Sequence, residues 1–462
     1  MNKKWIAIFI CAVVLACICI HPTQSVQARQ DPPDDTGSYL VGYTHLVVLD
    51  ESRNPEIGGR PIAVDLWYPA DPTNQGNPLL PAEYEMDPYN VLGAHDNGWG
   101  TVSSSLWEDA GLDPAYQEPA PFPNQSFPLL LFSFGWGNNS FDYLFLGPRV
   151  ASHGFVVALV STYGDTYPDG TYDHSAVAAL NRMLDARFLI TEFLTRDMDP
   201  DDPLYGMINE DQIAMSGHSW GGYASLALAA GDVELCDTFY GDPYEGDPPP
   251  EACGPVLPDP RIKAIVTLDG SNQNLHFQEL AQVTIPAMGI GEEWTTLTGL
   301  FGPENASWQA RQHAAMQGHP NYRVDVAYAE HGSFTDWCET VEVAYDINLI
   351  DEGTYQEWKC SPEPISSAEI ERLTTMYLIA FLKVNLVGDH EYQSLLTPGY
   401  ALAHEPNIEF FVTEKRNPHA IDEDWPDDFV YFMHQPGSEQ ARGPKNPQDV
   451  LQENRAPRLL QP

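Results

Sequence analysis

Ser219 stands in a local pattern that is typical of an enzymatic nucleophile. The sequence Gly217-His-Ser-Trp-Gly221 follows an apolar segment and precedes an alanine- and leucine-rich segment that ends at Ala230. A GxSxG pattern between a strand and a helix predicts a sharp turn that lifts the serine hydroxyl clear of the sheet. Gly217 and Gly221 fit that turn because a Cβ at either position would collide with the neighbouring strand and helix. The pattern predicts attack by Ser219 on an acyl carbon, with the amide of Trp220 at a helix N-terminus facing the oxyanion.

A serine hydroxyl needs a base that removes its proton and a carboxylate that orients the base. His331 directly follows the predicted strand Val324–Tyr328, in the segment Ala329-Glu-His-Gly-Ser333. Ligand sites of α/β sheets form in loops at the carboxyl ends of strands, so this position favours His331 as the base. Three other histidines lie between the serine and the last long helical pattern, and none directly follows a predicted strand: His276, His313 and His319.

The residues alone leave two positions open for the carboxylate. Asp269 ends the predicted strand Ala264–Asp269, the first strand after the serine helix. Glu292 and Glu293 end the next predicted strand, Thr284–Ile290. Both positions lie at the carboxyl ends of strands, so both are topologically within reach of His331.

An alternation of strand and helix patterns has to position these residues. Two apolar strands at 39–50 and 60–69, separated by turn-forming residues, predict an antiparallel hairpin at the start of the sheet. Further buried strands are predicted at 127–134, 155–160, 212–216, 264–269, 284–290 and 322–328, with helical patterns at 142–152, 175–196, 220–230, 308–316 and 368–386. The alternation predicts an α/β fold with a mostly parallel central sheet and helices on both faces.

The domain organisation follows from composition. We predict a signal peptide at 1–28, a catalytic domain at 29–388 with loop insertions at 70–125 and 232–260, and a polar, partly disordered extension at 389–462. Lysines precede an apolar run that is short for a membrane span, and small residues follow at the usual cleavage spacing. A lipoprotein anchor at Cys17 is the weaker alternative because apolar residues follow that cysteine. The mature protein is therefore expected to be secreted or periplasmic, without a transmembrane segment.

The charge of the chain limits its partners. The 462 residues include 66 acidic and 22 basic side chains, which gives a formal net charge of −44. Repulsion on this scale argues against nucleic acid or an anionic membrane surface as a partner. The apolar fraction of 43% is that of a globular protein.

Four cysteines remain after removal of the predicted signal peptide. Cys236 and Cys253 flank one loop, and Cys338 and Cys360 flank another just beyond His331. Local pairing, 236 with 253 and 338 with 360, is the prediction we prefer among the three connectivities that four cysteines allow. The chain has neither a CxxC nor an HExxH motif, so we predict no metal site and no cofactor.

Five segments of the chain form a recognisable set: Phe132-Ser-Phe-Gly-Trp-Gly137, Ala151-Ser-His-Gly-Phe-Val-Val157, Gly217-His-Ser-Trp-Gly-Gly222, Leu268-Asp269 and Glu330-His-Gly-Ser-Phe334. Together they resemble the branch of the α/β-hydrolases that contains platelet-activating-factor acetylhydrolases and dienelactone-hydrolase-like enzymes. The resemblance covers roughly residues 39–402. It implies Asp269 as the acid, His331 as the base, and the amides of Trp136 and Trp220 as oxyanion donors. Glu293 stays the alternative acid because of its position after the next predicted strand.

The chain departs from that branch at two positions. Phe134 stands where the family usually has the histidine of an FSHG motif, so any role of that histidine is absent. Dienelactone hydrolases use a cysteine nucleophile, whereas this chain has Ser219. The serine favours hydrolysis of small or lipid-like carboxylic esters. The alternatives are a cutinase-like hydrolase of polymeric esters, a non-catalytic binding protein on the same fold, and a peptidase.

Overall fold

The computed structural model describes residues 33, 35–54, 57–73, 78–85, 101–109, 111–166, 176–236, 253–272, 274–292, 308–360, 365–413 and 439–440. The signal peptide predicted at 1–28, with Cys17, lies outside these residues. The alternative acid Glu293 and most of the extension predicted at 389–462 also lie outside them.

Strands alternate with helices along most of the described chain. The strands are β1 Leu40–Asp50, β2 Arg60–Ala70, β3 Glu83–Glu85, β4 Thr101–Ser103, β5 Tyr116–Gln117, β6 Phe127–Ser133, β7 Val156–Thr162, β8 Ile208–His218, β9 Ile262–Leu268, β10 Ala287–Glu292, β11 Asn321–Val326, β12 Ile408–Thr413 and β13 Glu439–Gln440. The α-helices are α1 Ser105–Asp109, α2 Leu146–Ser152, α3 Ala176–Asp197, α4 Trp220–Ala230, α5 Phe277–Leu280, α6 Trp308–Ala315, α7 Trp337–Asp346, α8 Glu352–Trp358, α9 Ser367–Leu382 and α10 Pro398–His404.

Eleven of the described strands form one sheet, in the order β13-β12-β11-β10-β9-β8-β6-β7-β2-β1-β5. The six strands from β7 to β11 in this order are mutually parallel. The hairpin of β1 and β2 is antiparallel and joins the sheet through β7. This architecture confirms the predicted fold, an α/β-hydrolase fold with a mostly parallel sheet and an N-terminal antiparallel hairpin.

Helices cover both faces of the sheet. Leu129 and Leu131 of β6 pack with the apolar residues of α3 and α4, whereas Leu130 and Phe132 pack on the other face with α2 and α9. Successive side chains of a strand point to opposite faces, so each buried strand contributes to both layers. A sheet buried on both faces explains why these strands appear in the sequence as nearly continuous apolar runs.

The sheet continues past residue 388, where the sequence analysis places the end of the catalytic domain. Strand β12 pairs antiparallel with β11, and all six of its residues are buried. Residues 408–413 therefore belong to the sheet and form part of its core.

Two disulfides join cysteines of the described residues. Cys236 pairs with Cys253, and Cys338 pairs with Cys360, which confirms the predicted local pairing. Within the described ranges, no helix has the length and apolar character needed to cross a membrane.

Candidate active site

Ser219 occupies a strained turn between β8 and α4. Its backbone angles are φ 53° and ψ −115°, a combination that non-glycine residues rarely adopt. A Cβ on Gly221 would lie 1.9 Å from the carbonyl oxygen of Ser133, and a Cβ on Gly217 would lie 2.3 Å from the carbonyl carbon of Gly221. Backbone segments thus approach each other closely at both positions, which explains why the turn has glycine there.

The structure brings Ser219, His331 and Asp269 into one hydrogen-bonded group. His331 Nε2 lies 2.9 Å from Ser219 Oγ, and His331 Nδ1 lies 2.5 Å from Asp269 Oδ2. Asp269 is fully buried, whereas the His331 side chain is 41% exposed. A carboxylate that accepts from Nδ1–H leaves Nε2 as an acceptor for the serine proton. The arrangement can therefore deprotonate Ser219.

The loop that carries Asp269 is bonded directly to the serine turn. Ser219 N–H donates to the carbonyl of Leu268 over 3.1 Å, and Ser271 N–H donates to the carbonyl of Ser219 over 2.9 Å. Asp269 itself has a positive φ of 40°. These bonds on either side of Asp269 fix its distance from the serine turn.

A second carboxyl group, that of Glu292, lies behind Asp269. Glu292 ends β10, is 2% exposed, and brings an oxygen within 4.8 Å of ligand atoms of both Asp269 and His331. Asp269 Oδ1 and Glu292 Oε1 are both buried, and neither has a hydrogen-bond partner among the described residues. Burial, together with the charges of Asp269 and Glu330, raises the pKa of Glu292 to about 9. The raised pKa favours the neutral, protonated form of Glu292 at pH 7.

The raised pKa of Glu292 predicts a pH-dependent gain in stability for the variant Glu292→Gln. The pKa of Glu292 rises from 4.5 to about 9 on folding, so the folded protein binds this proton more tightly than the unfolded chain. Unfolding releases the proton between these pH values, and the contribution to stability falls as the pH rises. Glutamine cannot ionise, so the free energy of unfolding of the variant minus that of wild type should increase with pH up to about pH 9.

Thermal unfolding of both proteins from about pH 5 to about pH 9 measures this margin, and each unit of pKa shift is worth about 1.4 kcal/mol. Glu210→Gln, which removes an exposed charge from β8, controls for the loss of a carboxylate. A margin that does not change with pH would show that Glu292 is not the neutral partner.

One group of side chains in the described part of the chain is compact enough to hold a metal ion: Asp269, Glu292 and His331. Both ring nitrogens of His331 already contact Ser219 and Asp269. A metal ion would have to displace one of these hydrogen bonds. The donor set therefore fits a hydrogen-bonded acid–base group and does not fit a metal centre.

The loop after β6 carries Trp136, which the sequence analysis selects as an oxyanion donor. Arg182 of α3 is 2% exposed and donates to the carbonyls of Phe134 and Gly135, the two residues before Trp136. Its guanidinium also pairs with the buried carboxylate of Asp165. These bonds fix the peptide groups that precede Trp136. The Trp136 side chain is 43% exposed, while the second predicted donor, Trp220, begins α4.

Two further residues of the site have no assigned role in the sequence analysis. His218 is the variable residue before the serine in the GxSxG pattern, and it contacts the backbone of His331. Tyr143 precedes α2 and contacts both His218 and the loop after β6. The position of His218 next to the serine is a sequence signal for a role in the site. The sequence contains no comparable signal for Tyr143.

The chain is similar to known proteins over parts of its length. Residues 58–240 match the family described as X-Pro dipeptidyl-peptidase (S15 family), a segment that contains Ser219 and ends before Asp269. A cutinase of Thermobifida alba is 25% identical over 182 residues, which are 39% of this chain and 46% of that protein. The chain thus spans less than half of the length of the curated relative that it matches. A solved ferulic acid esterase from Streptomyces cinnamoneus is 22% identical, with a TM-score of 0.49, over 78% of this chain and 93% of that one.

Proposed function

We propose that the protein is a serine hydrolase of carboxylic esters, with Ser219 as nucleophile, His331 as general base and Asp269 as the orienting acid. The observation that carries the proposal is the pair of contacts of His331, 2.9 Å to Ser219 Oγ and 2.5 Å to Asp269 Oδ2. Ser219 is held on a strained turn at the end of β8, which agrees with a role for its hydroxyl.

The proposed reaction has two acyl-transfer steps. His331 Nε2 takes the proton of Ser219 while Oγ attacks the ester carbonyl, and the same proton then goes to the leaving alcohol. Water attacks the resulting acyl-serine while His331 takes its proton, and this proton returns to Ser219 Oγ as the bond to the acyl group breaks and the acid leaves. Asp269 holds the imidazole in the tautomer that accepts at Nε2. The amides of Trp136 and Trp220 stabilise the oxyanion in both steps.

Within ester hydrolases, we propose that the chain acts like the acetylhydrolase branch, on small or lipid-like esters. Support comes from the acid position, since Asp269 follows β9, the strand directly after the serine helix. The contact of the Asp269 side chain with His331 is also shorter than the contact of Ser219 with His331.

A second candidate is hydrolysis of polymeric esters. Two observations favour this second function. They are the match to a cutinase and the exposed indole of Trp136 on the loop after β6. An exposed aromatic ring on the loop whose backbone approaches the serine turn offers a flat apolar surface for an extended chain. The matched family is described as X-Pro dipeptidyl-peptidase, so a peptidase substrate belongs in the same test.

We also propose that the protein is exported. Two disulfides in a chain of this size support an oxidising compartment. The predicted signal peptide at 1–28 agrees with this proposal.

A panel of substrates tests the proposed function. It comprises p-nitrophenyl esters of increasing acyl length, an insoluble polyester film and an Xaa-Pro p-nitroanilide, each with wild type and Ser219→Ala. We expect wild type to cleave short or medium esters fastest, and the variant to cleave none. Preferential release from the film would favour the cutinase-like function, and cleavage of the anilide alone would overturn ester hydrolysis.

A further inference from the structure

Two loops that are far apart in the sequence must keep a fixed position relative to each other for the proposed reaction. The oxyanion loop, residues 134–136, follows β6, and the histidine loop, residues 329–334, follows β11. The oxyanion forms on the carbon that Ser219 attacks, so the amide of Trp136 and the ring of His331 must keep fixed positions around one substrate atom.

A buried chain of hydrogen bonds joins these two loops. Gly135 N–H donates to the hydroxyl of Tyr143 over 3.1 Å, and this hydroxyl lies 2.8 Å from His218 Nδ1. His218 Nε2 lies 2.9 Å from the carbonyl oxygen of His331. Tyr143 is fully buried and His218 is 3% exposed. The chain thus runs from the oxyanion loop to the backbone of the catalytic histidine.

The direction of each bond follows from chemistry. A carbonyl oxygen only accepts, so His218 must carry its hydrogen on Nε2. Burial and the neighbouring His331 lower the pKa of His218 well below its ordinary value, so the ring is neutral and Nδ1 accepts. Tyr143 then donates to Nδ1 while its oxygen accepts from Gly135. Asn138 Oδ1 lies 3.3 Å from the same hydroxyl and, because of this longer distance, is the weaker of the two acceptors for the tyrosine proton.

Ring packing holds the same groups in place. The ring of Tyr143 stacks on Phe134, with centroids 5.3 Å apart and planes 6° apart. The ring of His218 lies 4.6 Å from that of His331, and the indole of Trp308 meets His331 edge-on at 5.5 Å. His331 is therefore bounded by His218 and Trp308, and a shift of His218 would move it.

We infer that Tyr143 and His218 are positioning residues that couple the oxyanion loop to the catalytic histidine, although neither side chain touches the ester in the proposed mechanism. The inference rests on the proposed function. It adds that transition-state stabilisation and proton transfer depend on one hydroxyl that makes no contact with substrate.

The variant Tyr143→Phe tests the inference because it removes only that hydroxyl. We expect kcat to fall roughly tenfold or more, since loss of a direct oxyanion donor costs on the order of 100-fold and this effect is indirect. KM should stay close to wild type, because a group that acts only on the transition state changes kcat alone. The rate of inactivation by a fluorophosphonate should fall by a similar factor to kcat.

Tyr68→Phe is the matched control. Tyr68 is also buried, and its hydroxyl donates to the carbonyl of Pro119 over 2.8 Å, away from the site. The control should lower stability without changing kcat. A Tyr143→Phe enzyme with wild-type kcat, or a fall in kcat that Tyr68→Phe shares, would overturn the inference.

A pair of variants at His218 gives the same information if Tyr143→Phe does not fold. His218→Gln keeps a donor and an acceptor, whereas His218→Leu keeps neither. We expect the leucine variant to lose kcat at least as strongly as expected for Tyr143→Phe, and glutamine to restore part of it. Equal kcat values for both variants would overturn the inference. Wild type that neither cleaves esters nor reacts with the fluorophosphonate would instead overturn the proposed function.

Discussion

Replacement of Asp269 by asparagine is expected to lower kcat by on the order of 10⁴-fold without unfolding the protein. Asp269 Oδ2 accepts from His331 Nδ1 over 2.5 Å and so selects the tautomer that leaves Nε2 free to take the serine proton. An asparagine amide can donate to Nδ1, which would put the hydrogen on Nε2 and block proton transfer. Steady-state kinetics on a p-nitrophenyl ester, with a thermal melt of the same sample, measure both effects.

Glu292→Gln is the matched control for that variant. Glu292 is a neutral acid at pH 7 because its pKa is raised to about 9 by burial and by Asp269, so an uncharged amide should preserve most of kcat. Glu293→Ala is likewise expected to have little effect. A large loss of kcat in either glutamate variant, together with a small loss in Asp269→Asn, would reverse the assignment of the acid.

Replacement of His331 by alanine is expected to cause an even larger loss, on the order of 10⁶-fold in kcat. His331 is the described side chain that contacts both Ser219 Oγ and Asp269, so its removal takes away the base and the proton donor together. The side chain is 41% exposed, so its loss should perturb the fold little. End-point or steady-state assays of ester cleavage at high enzyme concentration measure the remaining rate.

His276→Ala provides the control for a lost histidine. His276 also pairs with a carboxylate, that of Glu234 over 2.9 Å, but it is 51% exposed and does not contact Ser219. This variant should keep the wild-type rate. If both histidine variants lost activity equally, the loss would not report on proton transfer to His331.

The sequence predicts the fold and the three polar residues of the site because their signals are local. The GxSxG turn is defined by five consecutive residues, and Asp269 and His331 directly follow apolar strands. Strands that alternate with helices bring such positions to one edge of a parallel sheet. The choice of Asp269 as the acid depends on the family resemblance. Position along the sheet allows either Asp269 or the glutamates that follow the next strand.

Other parts of the site depend on contacts that no local pattern records. Tyr143 and His218 are 75 positions apart, and His218 and the carbonyl of His331 are 113 apart. Glu292 is neutral because β10 lies between β9 and β11, which buries its side chain behind Asp269. The burial of Glu292 and its closeness to the charge of Asp269 follow from tertiary packing. The sequence shows only an acidic residue at the end of a strand.

Covalent labelling by a fluorophosphonate, with the modified peptide identified by mass spectrometry, tests whether Ser219 is the nucleophile. We expect one adduct, on Ser219, that forms in wild type and in His276→Ala, forms far more slowly in His331→Ala, and is absent from Ser219→Ala. Loss of ester cleavage should parallel adduct formation in wild type. An adduct on another residue, or undiminished ester cleavage by Ser219→Ala, would show that Ser219 is not the nucleophile.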